Sequence, residues 1–536
     1  MIGSMLRKAQ LLGGCAATAA PDAPYDLTSS GVTSSSITLN WEDATSTPNE
    51  ASSYEVGISS NGGTTWTTVT VSAPASLYTF TSLSAGTTYD FRIRGVNCFG
   101  TGSYDGEAFT QATSVGTLSP SWSIDFSSGT PSGYVLTRAS SGTYVDSSGY
   151  IASQASGASG NSAARLTHNS SGTRLGLLVE ESRTNILPNS EDFGTSWAGG
   201  NCNVSTNAVN APTNTLVADK VAANTTNTSH WLRRATSSPV VGTTYVFSVF
   251  FKAGGGAVTH VYLTLNGQVT AGDVNYSAKY NVTTGARTDT DSDNAPANTD
   301  SPTQAEDYGN GWWRAWIRME NPTGSAGLRA MVGLSNVATG AILPTFAGAA
   351  GDADFAYFWG AQVEASTTTP TAFIPTTTAT VTRSADLAHV LDSAITDWGW
   401  GALVIHFYPP GQAGTLISTD DASASQYGIQ ANTATSAQGF WQTGQTTSAT
   451  LGTGLQKAAH FINGSTSKFV LNGGTVYSGT NDVTHSNIDF VTLGAEATDS
   501  SGVPGTFSQW ANCVIRKIEW YGDGNLTNAQ LQAITT

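Results

Sequence analysis

The sequence predicts an all-β protein in which three tandem β-sandwich or jelly-roll domains are joined by linkers. Apolar and polar residues alternate over short runs bounded by Gly, Pro and Asn through most of the chain. Charged residues make up only 11% of the 536 positions, whereas 39% are hydrophobic and 10% aromatic, so several cores can form beneath a surface of hydroxyls, amides and turn-forming glycines. Heptads are absent. A chain of this length divides into about three or four domains of ordinary size.

The N-terminal tail, residues 1–20, is short, and residues 5–12 supply an amphipathic turn or two for docking. Leu12-Gly-Gly-Cys15 has the outline of a lipoprotein cleavage box, but the apolar stretch after Lys8 falls short of the roughly 7–15 residues a signal needs. Residues 21–113 form the first domain. Its strands alternate at 36–41, 53–59, 65–69, 78–80 and 88–96, the spacing of a two-sheet sandwich. Residues 114–174 are Ser- and Gly-rich with thin alternation, a linker and irregular β arm that orders only against a neighbour. Residues 175–376 form a central jelly roll and 377–536 a third sandwich. The third is entered through a Thr-rich linker, and its alternating strands end in a short helix capped by Thr527 or Asn525.

Several of these segments carry family resemblances. Pro21-Asp-Ala-Pro24, Trp41, the run 83–89 and the strand after it resemble a fibronectin type III domain, which implies that Trp41 is core and that the Tyr89 hydroxyl ties a corner of the sandwich. Residues 177–193, 245–254, 310–317, 356–364 and 370–375, preceded by 134–151, resemble in order a module of tailed-bacteriophage structural proteins. That module's fold is similar to carbohydrate-binding modules, with 177–193 and 356–375 as the first and last strands of one sandwich. Residues 402–531 are similar to the laminin-G/concanavalin-like jelly roll. Together the resemblances imply a noncatalytic virion protein assembled in the host cytoplasm. It would be a tail fibre or appendage that binds host-cell polysaccharide, or else a capsid-attached head fibre or decoration protein. A secreted bacterial glycan-binding adhesin is the third reading. Fibre families also imply a homotrimer, docked on other virion proteins through the N-terminal tail.

A net charge of −16 with no Lys/Arg cluster argues against nucleic acid, and no window is apolar enough to insert in a membrane. Cys15, Cys98, Cys202 and Cys513 are scattered, so neither a disulfide framework nor a zinc site is expected. No nucleophile elbow, metal-ligand His pair or phosphate loop appears, and no catalytic residues are assigned. Exposed aromatics can stack on sugar C–H faces. The glycan-binding candidates are Trp231, placed on a loop beside His230 and Arg233, together with Trp312 and Trp441. In residues 312–316 the alternation puts Trp312, Arg314 and Trp316 on one face, with Trp313 and Ala315 on the other. Asp289, Asp291, Asp293 and Asp300 are spaced like the ligands of a calcium loop, although Asn294 stands where that loop needs glycine. Calcium is the one cofactor considered, and otherwise none is expected.

Overall fold

The computed structural model describes residues 15–536 apart from 44–46, 107, 117, 130, 158–162, 295, 366–367, 392–399, 411, 421–426, 442–443, 465, 481–489, 499–505, 509 and 523. The chain is almost entirely β, arranged in antiparallel sheets, and divides into two compact units. One unit runs to Pro120 and includes Val470–Val476 and Asp523–Thr536; the other is Ser121–Phe469 with Tyr477–Gly522. No helix among the described residues is long and apolar enough to cross a membrane.

The first unit contains the N-terminal sandwich. A three-stranded sheet, Tyr25–Ser30, Ile37–Glu42 and Leu77–Phe80, faces a four-stranded one, Thr67–Ser72, Ser53–Ser59, Thr88–Val96 and Phe109–Ala112. Inward positions alternate along both sheets, so Ile37, Leu39, Val56, Phe91 and Ile93 share one core with Trp41, which meets the Tyr54 ring edge-on at 5.3 Å. The Tyr89 hydroxyl accepts a 2.9 Å bond from the Ser84 N–H and closes the corner as the sequence predicts. The unit also holds the helix Asn528–Thr535, whose N-cap is Thr527 in a reciprocal capping box with Gln530.

The cysteine expectation is corrected here, because Cys15 and Cys98 form a disulfide across a sequence separation of 83. Asn49 Oδ1 accepts from the Thr18 and Ala19 N–H groups at 2.8 and 3.0 Å, and Asn97 Nδ2 donates to the Ala19 carbonyl at 3.0 Å. These bonds lay the end of the tail on the sandwich and bring Cys15 to the loop bearing Cys98; spacing alone cannot reveal that approach. The disulfide leaves the Cys15 sulfur unavailable for a lipid. Residues 1–14, the rest of the expected docking tail, lie outside the described residues. Reduction of this bond is expected to lower the stability of the N-terminal sandwich by about 2–4 kcal/mol. Urea unfolding with and without dithiothreitol checks it, and Cys15→Ser should reproduce the reduced curve. Cys202 and Cys513 are free, and burial pushes both thiols up to about 12.

The second unit consists of two sandwiches, one inserted into the other. The outer sandwich has one sheet in the order Leu166–His168, Arg174–Val179, Cys513–Tyr521, Gly401–Tyr408, Gln456–Asn463, Thr466–Leu471 and Tyr477–Thr480. Trp122–Asp125 also pairs with Cys513–Tyr521. The second sheet runs Gly444–Gln445, Ser436–Trp441, Tyr427–Thr433, Gly414–Asp420, Phe490–Leu493, Leu387–Leu391 and Tyr134–Thr137. The expected arm is therefore corrected: strands from residues 121–179 complete both sheets of the third sandwich. Ile124 lies opposite Ile518, Leu177 opposite Ile515 and Leu136 opposite Ala388, all buried. Gly176, at φ +150°, lies so close to the Ile515 carbonyl that a Cβ would collide with it.

Between these outer segments the chain makes the inner jelly roll. One six-stranded sheet runs Ala198–Gly200, His230–Ala235, Ser325–Ser335, His260–Val269, Val274–Asn281 and Arg287–Asp293. The facing one runs Cys202–Asn210, Leu216–Ala223, Phe355–Ala365, Thr244–Gly255, Trp312–Glu320 and Glu306–Asp307. Phe247, Val249, Phe251, Ile317, Met319 and Phe358 fill the core between them. Phe250, Trp312, Trp359 and Phe373 form a second apolar cluster with Ile151 and Ala211. The strand Thr244–Gly255 is thus covered on both faces, which is why it reads as a near-continuous apolar run rather than an alternating one.

The stretch 177–193 is not the first strand of the jelly roll. Arg174–Val179 belongs to the outer sandwich, whereas from Asn185 onward the chain docks on Phe355–Ala365: Asn185 Oδ1 accepts from the Val363 N–H at 3.0 Å, and the Ile186 N–H donates to the Val363 carbonyl at 2.8 Å.

Candidate functional site

The insertion begins and ends at one place. Arg183–Asn185 pairs antiparallel with Val381–Arg383, Arg183 opposite Arg383, so the entering and leaving chains form a two-stranded stem. Five buried charges gather beside it. Asp386 accepts from Arg138 Nη1 at 2.8 Å, from Arg165 and from the Glu180 N–H at 2.9 Å. Glu180 takes Arg165 Nη1 at 2.6 Å and lies 3.5 Å from Arg383, which is 3.7 Å from Asp386. Arg138 also donates to the carbonyls of Ser140, Ala163 and Gln154, and Arg165 to that of Thr143, while Arg165 Nε–H is left without a partner. Ions removed this completely from water persist only when paired and hydrogen-bonded. Burial alone would raise the Glu180 carboxyl, but Arg383, Arg165 and the Ala372 N–H outweigh it and hold the group at about 2.

Next to the stem lies a cleft of about 410 Å³. The outer sandwich contributes His168 and Glu180, the hairpin Gly142–Val145 with Ile151–Gln154 contributes Thr143, and the inner sandwich Glu306, Tyr308, Arg314 and Trp316; residues 369–373 pass along one wall. Its size falls within the usual range of small-molecule sites. The strand Trp312–Glu320 determines which of these side chains face it. Ala315, Ile317 and Met319 pack into the main core, so Trp312, Arg314 and Trp316 point the other way. Trp312 is sealed there and donates Nε1–H to the Asn210 carbonyl at 3.0 Å. Arg314 is buried, with Nη1 on the Thr371 carbonyl at 2.9 Å and Nη2 on Ser248 Oγ at 3.0 Å, and its guanidinium lies 5.1 Å from the Phe250 ring centre. Trp316, only half-buried, remains open to the cleft.

Glu306 sits on a two-residue edge strand opposite Arg314. Its carboxylate is accessible through the cleft yet walled by protein. Burial pushes it up, against the pull of Arg314 and of a hydrogen bond from Tyr308. Burial also pushes the Tyr308 hydroxyl well up, helped by Glu306. Perturbed ionisable groups converging in a cleft with an open aromatic mark it as a candidate binding site.

The residues expected to bind glycan do not gather. Trp312 and Trp441 are buried, which corrects their assignment as stacking surfaces: Trp441 packs on Gly444 and Gly479 and stacks with His460 at 6.4 Å. Trp231 lies on the strand His230–Ala235 rather than on a loop. It lies flat over Gly200, where a Cβ would strike its indole, and the exposed Arg233 sits 4.9 Å from its ring centre. His230 points inward, its ring nitrogens 2.6 and 2.8 Å from the Asn201 and Phe346 carbonyls.

The calcium-loop reading is corrected as well. Asp289, Asp291 and Asp293 lie on the strand Arg287–Asp293 rather than in the tight loop that the spacing suggested. Asp289 accepts from the Gly340 N–H at 2.9 Å, Asp293 accepts from Asn275 at 3.2 Å, and Asp300 pairs with Arg318 at 3.4 Å. Among the described residues no group of three or more His, Cys, Asp or Glu could hold a metal ion.

Sequence reasoning missed Glu180, Glu306 and Tyr308 as one site. The available signal was Arg314, a charge on the face of two tryptophans in a chain with few charges.

Residues 22–111 match the fibronectin type III domain family. Among solved structures the chain is similar to a myokine at 14% identity over 18% of this chain and 99% of that one, with a TM-score of 0.16. It is similar to titin kinase with its flanking domains at 25% identity, covering 18% of this chain and 17% of that one, with a TM-score of 0.16. A fibronectin type III domain of human collagen XX is 30% identical over 18% of this chain and 99% of that one, with a TM-score of 0.15. No curated protein matches the chain.

Proposed function

We propose that this chain is a noncatalytic structural and receptor-binding protein of a tailed-phage virion, a tail fibre or related appendage that binds host-surface glycan in the cleft beside the stem. The cleft is the observation that carries the reading: it joins an accessible tryptophan face to a carboxylate, a guanidinium and backbone carbonyls, the mixture that a ring with one apolar face and a polar rim requires. The ordered sequence resemblance to the phage module supports the virion part. The fibronectin type III domain supplies spacing, the tail docks on other virion proteins, and the assembly is a homotrimer.

Binding rather than cleavage is supported by Glu180, whose oxygens are already taken by Arg165 and by the Ala372 N–H at 2.7 Å, so a second carboxylate is not free to activate water. The Cys15–Cys98 disulfide favours a second reading, the secreted glycan-binding adhesin, because such bonds persist in oxidising surroundings.

Binding of the full chain to host cells and to their purified surface polysaccharide tests the proposal. Saturable binding is expected, weakened about tenfold or more by Trp316→Ala, since loss of a stacking aromatic costs on the order of 1.5 kcal/mol. Trp231→Ala, outside the cleft, should leave it unchanged. Absence of binding to either target would overturn the proposal.

A further inference from the structure

Glu306 is the exposed carboxylate of the cleft. Arg314, the cation beside it, spends its two terminal nitrogens on Thr371 and Ser248, leaving Nε–H without a partner. Glu180 is saturated by Arg165 and Ala372. His168 directs Nδ1 to the Val145 carbonyl at 3.0 Å and has Arg174 at 3.5 Å on its other nitrogen. Among the described residues Tyr308 and Arg314 act on the Glu306 carboxylate, which is exposed on its edge strand and open to a ligand. A ligand that donates hydrogen bonds to Glu306 supplies what the protein does not, and charge-assisted bonds of that kind are the strong ones. Of the two carboxylates on the cleft wall, Glu180 is buried and already paired with Arg165 and Arg383, so Glu306 is the one a ligand meets.

We propose that Glu306 is the ligand-anchoring carboxylate of this cleft and that its ligand is an uncharged pyranose unit, whose neighbouring hydroxyls donate to Glu306 while its C–H face lies along Trp316, so that acidic sugars are refused. The inference rests on the glycan-binding reading of the cleft and adds the ligand's chemical class and the residue that selects it. A uronate or sialate would bring a further carboxylate against Glu306, and like charges so placed are strongly unfavourable in a partly desolvated site.

The test is to screen the full chain against immobilised neutral, uronate-bearing and sialylated oligosaccharides, then titrate the best neutral and best acidic binder by calorimetry. Neutral sugars are expected to bind about a hundredfold more tightly than acidic ones of the same length. Glu306→Ala should weaken neutral-sugar binding about tenfold or more. The near-isosteric Glu306→Gln should narrow the neutral-over-acidic ratio, an effect that general damage to the fold would not produce. Acidic sugars binding as tightly as neutral ones would overturn the inference. So would binding that survives Glu306→Ala but is lost in Trp316→Ala, and that result would leave the glycan-binding reading standing. Binding to no sugar at all would overturn both.

Discussion

Asp386→Asn is expected to destabilise the second unit by about 3–5 kcal/mol, the usual cost of removing one partner from a buried ionic cluster. The aspartate is fully buried and is the point on which Arg138, Arg165 and the Glu180 N–H converge. An amide keeps the shape but leaves three guanidinium groups facing Glu180 as the remaining counter-charge. Chemical denaturation read by hydrogen exchange on the strands Arg174–Val179 and Leu387–Leu391 isolates the effect from the N-terminal sandwich, which a single transition would not do. A loss below about 1 kcal/mol would show that the cluster behaves like a solvated surface pair.

The same cluster gives the unit an acid limit. The folded-state pKa of Glu180, about 2, lies below its unfolded value of 4.5. The stability it contributes is therefore fully present above pH 4.5 and is lost as pH falls toward 2. Glu519, held low by His406 at 2.9 Å and Lys517 at 2.6 Å against the opposing effect of burial, acts with the same sign. Wild type should unfold progressively below pH 4.5, and Asp386→Asn should begin to unfold nearer neutrality.

A fragment starting at residue 377 is expected not to fold, because it takes Cys513–Tyr521 without Arg174–Val179 and Trp122–Asp125, and Leu387–Leu391 without Tyr134–Thr137. Apolar inward faces and open sheet edges would then meet water, the usual route to aggregation. Joining residues 121–183 to 383–536 through a short Gly-rich turn should restore folding. Arg183 and Arg383 lie opposite each other in the stem, and opposed residues of an antiparallel pair are only about 5 Å apart. The excised piece 184–382 should fold by itself as the inner jelly roll. Circular dichroism and amide dispersion in nuclear magnetic resonance spectra of the three pieces decide the matter. Cooperative unfolding of the 377–536 fragment would refute the inserted arrangement.

The residues alone were enough for the fold class, the N-terminal sandwich with Trp41 and Tyr89 in their places, the near-continuous apolar strand 245–254, the alternating strand 514–521, and a terminal helix with Thr527 or Asn525 as its cap. Each of these is a local pattern: a side-chain period, a cap or a turn read within a dozen or so residues. Tertiary structure alone decided which strands share a sheet. The segments 122–125 and 134–137 are too short to show a period, and their partners lie beyond a whole inserted domain, so nothing local marks them as core. The Cys15–Cys98 bond and the Arg138–Arg165–Glu180–Arg383–Asp386 cluster were illegible for the same reason. The cleft was half legible: the alternation in 312–316 placed Arg314 and Trp316 on one face, but Glu306 and Glu180 reach them only through chain pairing, and burial turned Trp312 and Trp441 from candidate surfaces into core. Periodicity records which way a side chain points, whereas what stands opposite depends on contacts between residues hundreds of positions apart.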